Sequence, residues 1–389
     1  MKISAQTIVV LTLLIGCASQ RLVITISPCT TEIYKNNAYS KADDINRALT
    51  KLTQSGVPGV TFAMYSSEGW FETSSGFVSL EDKLSMQSCH LQYLQSISKT
   101  YMAVALLKLH EQKKLDLNKS ITTYLPEKYS RYISDAESIT VNMLLNHTSG
   151  IPEYNSVPSY VTKLLQQPDY LFTPEDYLAY IEKKPLEFEP GSRYIYRNTN
   201  YVILALIADA ITGDHAVFIS ENIFKPLGLH QTFYRNESNY LDYPNLTQTY
   251  WDRHSNNILE NVSALQRNNV ECLIGDDGIV ATAHDAVKFL KGLMEGKLLQ
   301  PETLELMKAW INNRNGKPEY GLGLDYAMLG GHEAWGHSGG GIGAGCQLYY
   351  FPEKGLYFFV GINLGTVTDS PIHKQAETAL NELYKAMLD

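Results

Sequence analysis

Strand-like segments lie near both ends of this chain of 389 residues, and a mostly helical stretch separates them. Apolar side chains alternate in residues 60–64, and residues 70–78 return after a Ser-Ser-Glu-Gly turn, which predicts a β-hairpin. Near the other end, a Pro-Glu-Lys-Gly turn separates two further strand-like runs, 347–351 and 356–363. The sequence therefore predicts an α+β fold. Both ends of the chain would build one antiparallel sheet, and a helical lobe would be inserted between them.

Helices are predicted at both ends of the sheet lobe and through the middle of the chain. Apolar residues form one stripe in residues 41–55, and Ser370 followed by Pro371 begins a helix that runs to about Met387. Residues 100–113 are apolar nearly all round, which indicates a buried helix. Shorter helices are predicted over 140–145, with Thr140 as the cap, and over 201–211, 285–295 and 301–310.

The N-terminal residues are expected to direct export rather than to join the fold. Lys2 precedes an apolar run at residues 8–15, which is too short to span a bilayer and is typical of a signal peptide. The run ends in Leu-Ile-Gly-Cys, which resembles the signal of a bacterial lipoprotein in which Cys17 is acylated. The alternative is an ordinary secretory leader cleaved a few residues later. Both alternatives predict an exported protein, in the bacterial periplasm or at the cell surface.

These patterns divide the chain into predicted segments. We expect a signal peptide at 1–16, a lipid-anchored tether at 17–37, a sheet lobe formed by 38–95 and 311–389, and a mainly helical inserted lobe at 96–310.

Composition and cysteine spacing exclude several classes of function. The formal net charge is −9 and no basic cluster occurs, which argues against binding to nucleic acid. The sequence patterns of zinc sites, calcium loops, phosphate-binding loops and dinucleotide folds do not occur, so neither a metal nor a cofactor is predicted. The cysteines beyond the leader have no CxxC spacing, and we expect isolated buried thiols, with any disulfide pairing left open. They are Cys29, Cys89, Cys272 and Cys346.

Ser96 and Lys99 form the most informative local pattern. They are three residues apart, and therefore on one face of a helix, just before the apolar residues 102–107. A serine hydroxyl is a poor nucleophile at neutral pH and needs an adjacent base. A lysine amine is such a base only when burial or a nearby cation lowers its pKa, and the apolar helix would supply the burial. Taken alone, the pattern also fits two surface residues on a helix.

Two further segments could complete such a site. Tyr196 and Asn198 alternate in a short extended piece, so both could point into a cleft. In such a cleft, a tyrosine hydroxyl near a lysine can relay a proton, and an asparagine amide can hold a substrate carbonyl. Residues 336–343, Gly-His-Ser-Gly-Gly-Gly-Ile-Gly, would let backbone N–H groups approach a ligand closely. The alternatives are a packed aromatic in the first segment and a flexible glycine turn in the second.

The three segments follow one another as Ser-x-x-Lys, Tyr-x-Asn and His-x-Gly. In this order, over about residues 38–385, the chain resembles the serine β-lactamase and penicillin-binding-protein family, in the branch of class C β-lactamases, D-Ala-D-Ala carboxypeptidases and esterases. The resemblance implies a β-lactamase/transpeptidase-like fold, with an antiparallel sheet flanked by N- and C-terminal helices and an inserted, mainly helical lobe. Secondary matches occur at 144–152, 196–201, 275–283 and 320–323.

The resemblance implies a role for each matching residue on the catalytic side. Ser96 is expected to be the nucleophile that carries the acyl group. Lys99 is expected to accept its proton, either directly or together with Tyr196, and Tyr196 to return a proton to the leaving group. No acidic residue is required to orient the base. His147, which lies in a secondary match, is expected to be structural.

On the substrate side, the resemblance implies that Asn198 positions the substrate amide. His337 takes the place of a lysine and is expected to line the cleft with Gly339 and Gly340. The backbone N–H groups of the nucleophile and of Gly340 are expected to form the oxyanion hole. Arg197 replaces a small residue, and it either points away or adds a cation near the cleft.

The predicted function is that of an exported serine hydrolase that works through an acyl-enzyme. Expected substrates are D-amino-acid peptides such as those of peptidoglycan, small amides, or esters. One alternative is a class C-like β-lactamase, which differs in how fast water removes the acyl group, although His337 makes it less expected. Another is a non-catalytic sensor of cell-wall fragments or penicillin, but the residues whose loss would mark a sensor are all present. The membrane, through the lipid anchor, is the other expected partner.

Overall fold

The computed structural model describes residues 39–235 and 242–389. The predicted signal peptide, the lipid attachment at Cys17 and the predicted tether all lie outside the described residues. Within the described ranges, no single helix is both long and apolar enough to cross a membrane. One pair of consecutive helical segments, Asn198–Thr212 and His215–Leu227, is apolar enough jointly but is bent by 85°.

Strands from both ends of the chain form one large antiparallel sheet. The strands of the described residues are β1 (Gly59–Ser66), β2 (Gly69–Ser79), β3 (Leu84–Ser85), β4 (Gln92–Tyr93), β5 (Thr232–Phe233), β6 (Tyr250–Trp251), β7 (Glu260–Asn261), β8 (Val280–Ala281), β9 (Ile311–Asn312), β10 (Pro318–Tyr320), β11 (Asp325–Leu329), β12 (His332–Gly340), β13 (Gly345–Phe351) and β14 (Leu356–Ile362). The large sheet has the order β3-β2-β1-β14-β13-β12-β11-β10-β9. Because β1 pairs with β14, a strand from each end of the chain lies side by side in the interior of the sheet.

Helices account for most of the remaining regular structure. They are α1 (Ala42–Gln54), α2 (Ser98–Glu111), α3 (Glu127–Ser130), α4 (Val141–Leu145), α5 (Pro158–Gln166), α6 (Pro174–Ala179), α7 (Asn198–Thr212), α8 (His215–Ile219), α9 (Lys225–Leu227), α10 (Ser263–Cys272), α11 (Ala283–Met294), α12 (Pro301–Met307) and α13 (Pro371–Leu388). The small sheets β4-β8-β5 and β6-β7 lie among them in the chain.

Helices cover both faces of the large sheet. Phe62 and Phe358 belong to the apolar cluster that α1 and α13 form on one face. Ala63 and Phe359, their neighbours along the strands, belong to the cluster of the helical lobe on the other face, where α11 lies against β1, β13 and β14. Successive side chains of a strand point to opposite faces, so this division follows from the sequence alternation. The predicted α+β arrangement is confirmed, whereas the exact lobe boundaries stay a prediction.

Two predicted helix caps are confirmed and three helix boundaries differ. The side chain of Thr140 accepts a hydrogen bond from the Met143 N–H, and that of Ser370 accepts one from the Ile372 N–H. However, α7 begins at Asn198 rather than at 201, α11 begins two residues earlier than predicted, and α12 ends at Met307 instead of 310. The early start of α7 matters for the site because it moves Asn198 from an extended piece into a helix.

The cysteines only partly match the expectation of isolated thiols. Cys272 and Cys346 are free and buried, as predicted. Cys89 is disulfide-bonded, so the expectation was wrong for this residue. Sequence spacing carries no information on which distant cysteines meet, which is why the pairing could not be read in advance.

The two lobes meet where β12 lies against the turn that contains Ser96. This 3₁₀ turn, Gln95–Ile97, leads directly into α2. A Cβ added at Gly339 would lie 2.6 Å from the Leu94 carbonyl oxygen and 2.8 Å from Gln95 Cβ. Only a residue without a side chain lets the strand approach so closely, so the glycine brings β12 alongside the turn.

Candidate active site

Ser96 sits in a tight turn whose backbone is strained. Gln95, the residue before it, has φ 49°, a left-handed conformation that costs free energy for any residue but glycine. Gln95 is buried, whereas Ser96 is partly exposed. The turn therefore holds the Ser96 hydroxyl at the surface, two residues before α2 begins, while its neighbours are fixed in the core.

Lys99 is fully buried, and its amine has three oxygen partners. Lys99 Nζ lies 3.0 Å from Ser96 Oγ, 2.8 Å from Asn198 Oδ1 and 2.7 Å from the backbone oxygen of Asp276. The amide and carbonyl oxygens can only accept, but the serine hydroxyl can also donate. A charged amine donates one hydrogen to each of the three oxygens. A neutral amine in the same place donates to the two obligate acceptors and can accept from the Ser96 O–H.

The electrostatic surroundings of Lys99 act in two directions. Burial lowers the pKa of the amine because the charged form loses its hydration. The nearby carboxyls of Asp276, Asp277 and Glu153 raise it, but the effect of burial is larger. The net lowering favours the neutral amine, which is the form that can accept a proton from Ser96.

Tyr196 lies beside Lys99 and keeps its proton. The amine is 5.1 Å from the centre of the Tyr196 ring. Burial raises the pKa of Tyr196 well above its ordinary value, and the interaction with the Ser96 hydroxyl offsets this only in part. The hydroxyl oxygen is buried, and within the described residues no group meets hydrogen-bond geometry with it. Tyr196 therefore stays protonated at neutral pH, so it can donate a hydrogen bond and is unsuited to act as the first base.

Asn198 is brought to Lys99 by the N-terminus of α7. It is the first residue of this helix, and its Oδ1 accepts from the Lys99 amine. Its backbone N–H donates to the carboxylate of Glu153. Asn198 thus links a helix terminus, a buried acid and the candidate base.

His337 is a buried residue of β12 beside Tyr196, and its place in the lining of the cleft stays a prediction. The ring is 3% exposed, and its centre is 6.1 Å from that of Tyr196. Its Nδ1 donates to the Ser338 carbonyl, and its Nε2 accepts from the Tyr320 hydroxyl at 2.9 Å. Burial lowers the pKa of His337, in agreement with a neutral ring. Both nitrogens therefore have partners inside the protein, and the ring orients the strand beside Ser96.

The edge of β12 next to Ser96 is open. Its pairing with β11 ends at Gly336, whereas its pairing with β13 continues to Gly340. Residues 337–340 therefore have a strand neighbour on one side only, and this segment contains both Gly339 and Gly340. The oxyanion hole expected from the N–H groups of Ser96 and Gly340 stays a prediction.

Arg197 turns away from the nucleophile. Its guanidinium forms an ion pair with Glu187 and donates to the Tyr196 carbonyl oxygen at 3.0 Å. Of the two alternatives that the sequence left open, the structure favours the outward orientation.

Sequence reasoning missed the buried acids around Lys99. Burial raises the pKa of Asp276 to about 7 and that of Asp277 to about 6. The Gly-Asp-Asp-Gly segment matched the family but had no role assigned. Gly275 shows how it reaches the site: its φ is +75°, and an added Cβ would lie 2.3 Å from the Tyr201 carbonyl oxygen. The glycine lets the segment lie against α7, which brings the Asp276 carbonyl to Lys99.

His147 holds the start of α7, in agreement with a structural role. Its buried Nδ1 accepts from the Arg197 backbone N–H at 3.3 Å and from Asn200 Nδ2 at 3.1 Å. Its ring centre is 4.3 Å from that of Tyr196. The residue therefore supports the tyrosine from behind.

One group of side chains in the described residues could hold a metal ion, and it lies away from the contacts of Ser96. It consists of Asp209, Asp214 and His215. Both ring nitrogens of His215 are already engaged, with Asp209 and with the Tyr234 hydroxyl, each at 2.7 Å. Asp214 accepts two N–H groups at the start of α8. The donor atoms thus serve the fold.

Comparison with known proteins gives a consistent family match. The family model described as Beta-lactamase matches residues 43–380. A putative penicillin-binding protein of Bacillus subtilis (strain 168) is 29% identical over 278 residues, which are 70% of this chain and 64% of that protein. A putative D-alanyl-D-alanine carboxypeptidase of Escherichia coli (strain K12) is 30% identical over 164 residues, 41% of this chain and 37% of that protein. The matches thus span less than two thirds of the length of both relatives.

A solved structure supports the same fold. D-amino acid amidase from Ochrobactrum anthropi SV3, complexed with L-phenylalanine amide, superposes with a TM-score of 0.77. The superposition covers 89% of this chain and 98% of that chain, at 23% sequence identity. The β-lactamase/transpeptidase-like fold expected from the sequence is confirmed.

Proposed function

The chain belongs to the beta-lactamase family, and on this premise we propose that it is a serine hydrolase that forms an acyl-enzyme on Ser96. The single observation that carries the proposal is the contact of Lys99 Nζ with Ser96 Oγ at 3.0 Å, in a site whose other two partners can only accept hydrogen bonds. A base positioned in this way activates a serine hydroxyl without a histidine or an acid.

The proposed acylation uses Lys99 and Tyr196 in turn. Ser96 Oγ bonds to the substrate carbonyl carbon, its proton passes to Lys99 Nζ, and the carbonyl electrons move onto the oxygen. When the tetrahedral intermediate collapses, the leaving amine or alcohol takes a proton from Tyr196, and the proton held by Lys99 restores the tyrosine. Water then cleaves the ester on Ser96 in the reverse sense. The raised pKa of Tyr196 and the lowered pKa of Lys99 fit this order.

The substrate class we propose is that of small amides and peptides of D-amino acids. The relatives are described as a penicillin-binding protein and a D-alanyl-D-alanine carboxypeptidase, and the structure with the same fold as a D-amino acid amidase. The open edge of β12 beside Ser96 can pair with an extended peptide backbone, which suits such substrates.

Labelling with a fluorophosphonate and with a fluorescent penicillin tests the proposal. We expect both probes to label the wild-type protein, and Ser96→Ala to remove the label. Ser98→Ala is a matched control, since Ser98 lies in the same segment but its Oγ accepts from the Ile279 N–H. A wild-type protein that neither probe labels would rule out the acyl-enzyme. Slow hydrolysis of D-alanyl amides with little turnover of nitrocefin would support an amidase or peptidase over a β-lactamase. Fast turnover of nitrocefin would support a β-lactamase instead.

We also propose that the protein is exported and anchored by lipid at Cys17. The apolar leader and the residues around Cys17 support export, and a disulfide at Cys89 suits an oxidising compartment. Metabolic labelling with an alkyne fatty acid tests the anchor. We expect the full chain to incorporate the label and Cys17→Ala to lose it; export without incorporation would favour the ordinary secretory leader.

A further inference from the structure

Helix α7 begins without a cap of its own. The residue before it, Arg197, has an extended backbone and contributes no side-chain cap. The first N–H groups of a helix need acceptors from elsewhere. Glu153 supplies one, because its Oε2 accepts from the Asn198 N–H, and its Oε1 lies 3.2 Å from Thr199 Oγ1. An acid distant in sequence thus caps the helix that carries Asn198.

The Glu153 carboxyl is buried and has no salt-bridge partner among the described residues. Glu153 is 9% exposed. Besides the helix terminus, its oxygens accept from the Asn155 N–H at 3.3 Å. Lys99 in its charged form would lower the pKa of Glu153, but burial has the larger effect and raises it. A buried carboxylate next to the positive end of a helix and facing a buried amine is stabilised by both.

We infer that Glu153 is a positioning residue for acyl transfer: it fixes Asn198, and through Asn198 the amine of Lys99, and it adds negative charge to that of Asp276 and Asp277 once the amine has taken the Ser96 proton. The inference rests on the proposed function. It is carried by a continuous series of contacts, from the Glu153 carboxylate to the Asn198 N–H, and from Asn198 Oδ1 to Lys99 Nζ at 2.8 Å.

The charge of Glu153 matters because acylation creates a cation in a buried site. Lys99 is neutral before it accepts the proton and positive afterwards, and a buried positive charge needs compensation. The other ionisable groups around Lys99 are Asp276, Asp277, His147, His337, Tyr196 and Tyr201. Burial lowers the pKa of both histidines and raises that of both tyrosines, so these four stay neutral. Compensation therefore comes from the acids, of which Glu153 is the one bonded to the partner of Lys99.

Glu153→Gln removes the negative charge of Glu153 but keeps an oxygen that can cap α7. The amide oxygen of glutamine can still accept from the Asn198 N–H, but the negative charge is lost. Without it the pKa of Lys99 falls, because Glu153 is one of the acids that raise it, so the amine becomes neutral at lower pH. We expect the acid limb of fluorophosphonate labelling to move to lower pH together with this pKa. Above that limb, labelling slows about threefold, because a weaker base accepts the proton less readily.

Two measurements on the full chain test the inference. The first is the pH dependence of labelling of Ser96. The second is the pKa of Lys99 itself, from the NMR signal of ¹³Cε-labelled lysine, assigned with Lys99→Arg. Glu189→Gln, a change at an exposed acid, is the control and should alter neither. Circular dichroism and thermal unfolding check that each variant is folded.

The outcomes distinguish the inference from the proposed function. A lower pKa of Lys99 together with a shifted limb supports both. A wild-type protein that labels at Ser96, combined with an unchanged Lys99 pKa in Glu153→Gln, overturns the inference alone. A lowered Lys99 pKa without any labelling of the wild type overturns the acyl-enzyme and keeps the electrostatic link. A Lys99 pKa that rises in Glu153→Gln contradicts the sign of the inference.

Discussion

The side-chain oxygen of Asn198 accepts a hydrogen bond from the Lys99 amine at 2.8 Å, although 99 residues separate the two in the chain. One residue lies in the first turn of α2 and the other begins α7. Two helix N-termini therefore converge on one amine, whose third partner is the Asp276 carbonyl oxygen. Strand β12 lies beside the Ser96 turn, so segments distant in the chain meet at the candidate site.

Replacement of Lys99 by methionine should abolish the base while keeping the volume of the side chain. We expect Ser96 labelling by a fluorophosphonate to slow by about 10²- to 10⁴-fold, the usual contribution of a positioned base. The measurement is the labelling rate at pH 8. Lys108→Met is the matched control, since Lys108 also lies on α2 and donates to a backbone carbonyl, that of Leu298 at 2.7 Å. Labelling of the Lys99 variant at the rate of the control would remove Lys99 from the mechanism.

Replacement of Gly339 by alanine should push β12 away from the Ser96 turn. The added Cβ would lie 2.6 Å from the Leu94 carbonyl oxygen, so backbone has to move. A displacement of about 1 Å can cost about a hundredfold in rate, and overpacking costs about 1–3 kcal/mol of stability. Labelling kinetics and thermal unfolding measure the two effects. In Gly316→Ala, the control, the new Cβ meets no atom within 4 Å, so labelling should persist. Its φ of +73° disfavours alanine, so this control applies to the labelling rate and not to the unfolding measurement.

Much of the fold was predictable because its signals are local. Alternation gave the strand pairs at both ends, and the cap at Ser370 with Pro371 gave the start of α13. The edge strands β9, β10 and β11 had no such signal, since they are short and partly exposed. They are placed in the sheet one after another, because β11 pairs with β12, β10 with β11 and β9 with β10. The glycine-rich sequence of β12 also has low strand propensity.

The candidate site was predictable as a set of residues but not in its electrostatics. The order of the motifs predicted that Ser96, Lys99 and Asn198 share one site. In the structure, the Lys99 amine lies within hydrogen-bond distance of Ser96 Oγ and of Asn198 Oδ1. The start of α7 at Asn198 was missed because its cap, Glu153, comes from a distant segment. The hydrogen bond of His337 with Tyr320 was missed because the secondary match at 320–323 had no role assigned to it.

Replacement of Asp277 by asparagine should raise stability at neutral and alkaline pH. Burial raises the pKa of this carboxyl from 3.8 to about 6 in the folded protein, so the folded state disfavours its charge. In the wild type the contribution of Asp277 to the free energy of unfolding falls as the pH rises from about 4 to about 6, and it then stays low. Asparagine keeps an oxygen for the Gly278 N–H, which donates to Asp277 at 2.6 Å, and carries no charge.

We expect Asp277→Asn to gain up to about 3 kcal/mol at pH 8 and to flatten this pH dependence, since one pKa unit corresponds to about 1.4 kcal/mol. Urea unfolding at pH 4, 6 and 8 measures both. Asp135→Asn, at a residue with an exposed side chain, is the control and should leave the profile unchanged. A variant that loses stability at pH 8 would show that the charged form is the favoured one.

Replacement of Tyr196 by phenylalanine should separate the two proton transfers. Its hydroxyl is buried and has no hydrogen-bond partner within the described residues, so its removal costs little stability and can even raise it by about 1 kcal/mol. If Tyr196 protonates the leaving group, the loss of hydrolysis rate in Tyr196→Phe depends on the nature of that group. Amides, which leave as poor amines, should slow by about 10²- to 10⁴-fold, whereas nitrophenyl esters, whose leaving group needs no proton, should slow by less than about tenfold.

Parallel kinetics with a D-alanyl anilide and the corresponding nitrophenyl ester decide between two roles for Tyr196. An equal loss with both substrates would mean that Tyr196 takes part in activating Ser96 itself, which its raised pKa opposes. Tyr201→Phe is the matched control: its ring also lies near the Lys99 amine, at 5.8 Å, but its hydroxyl donates to the Leu145 carbonyl and not toward Ser96. That variant should lose stability and retain the wild-type ratio of amide to ester rates, because only the hydroxyl facing Ser96 can distinguish the leaving groups.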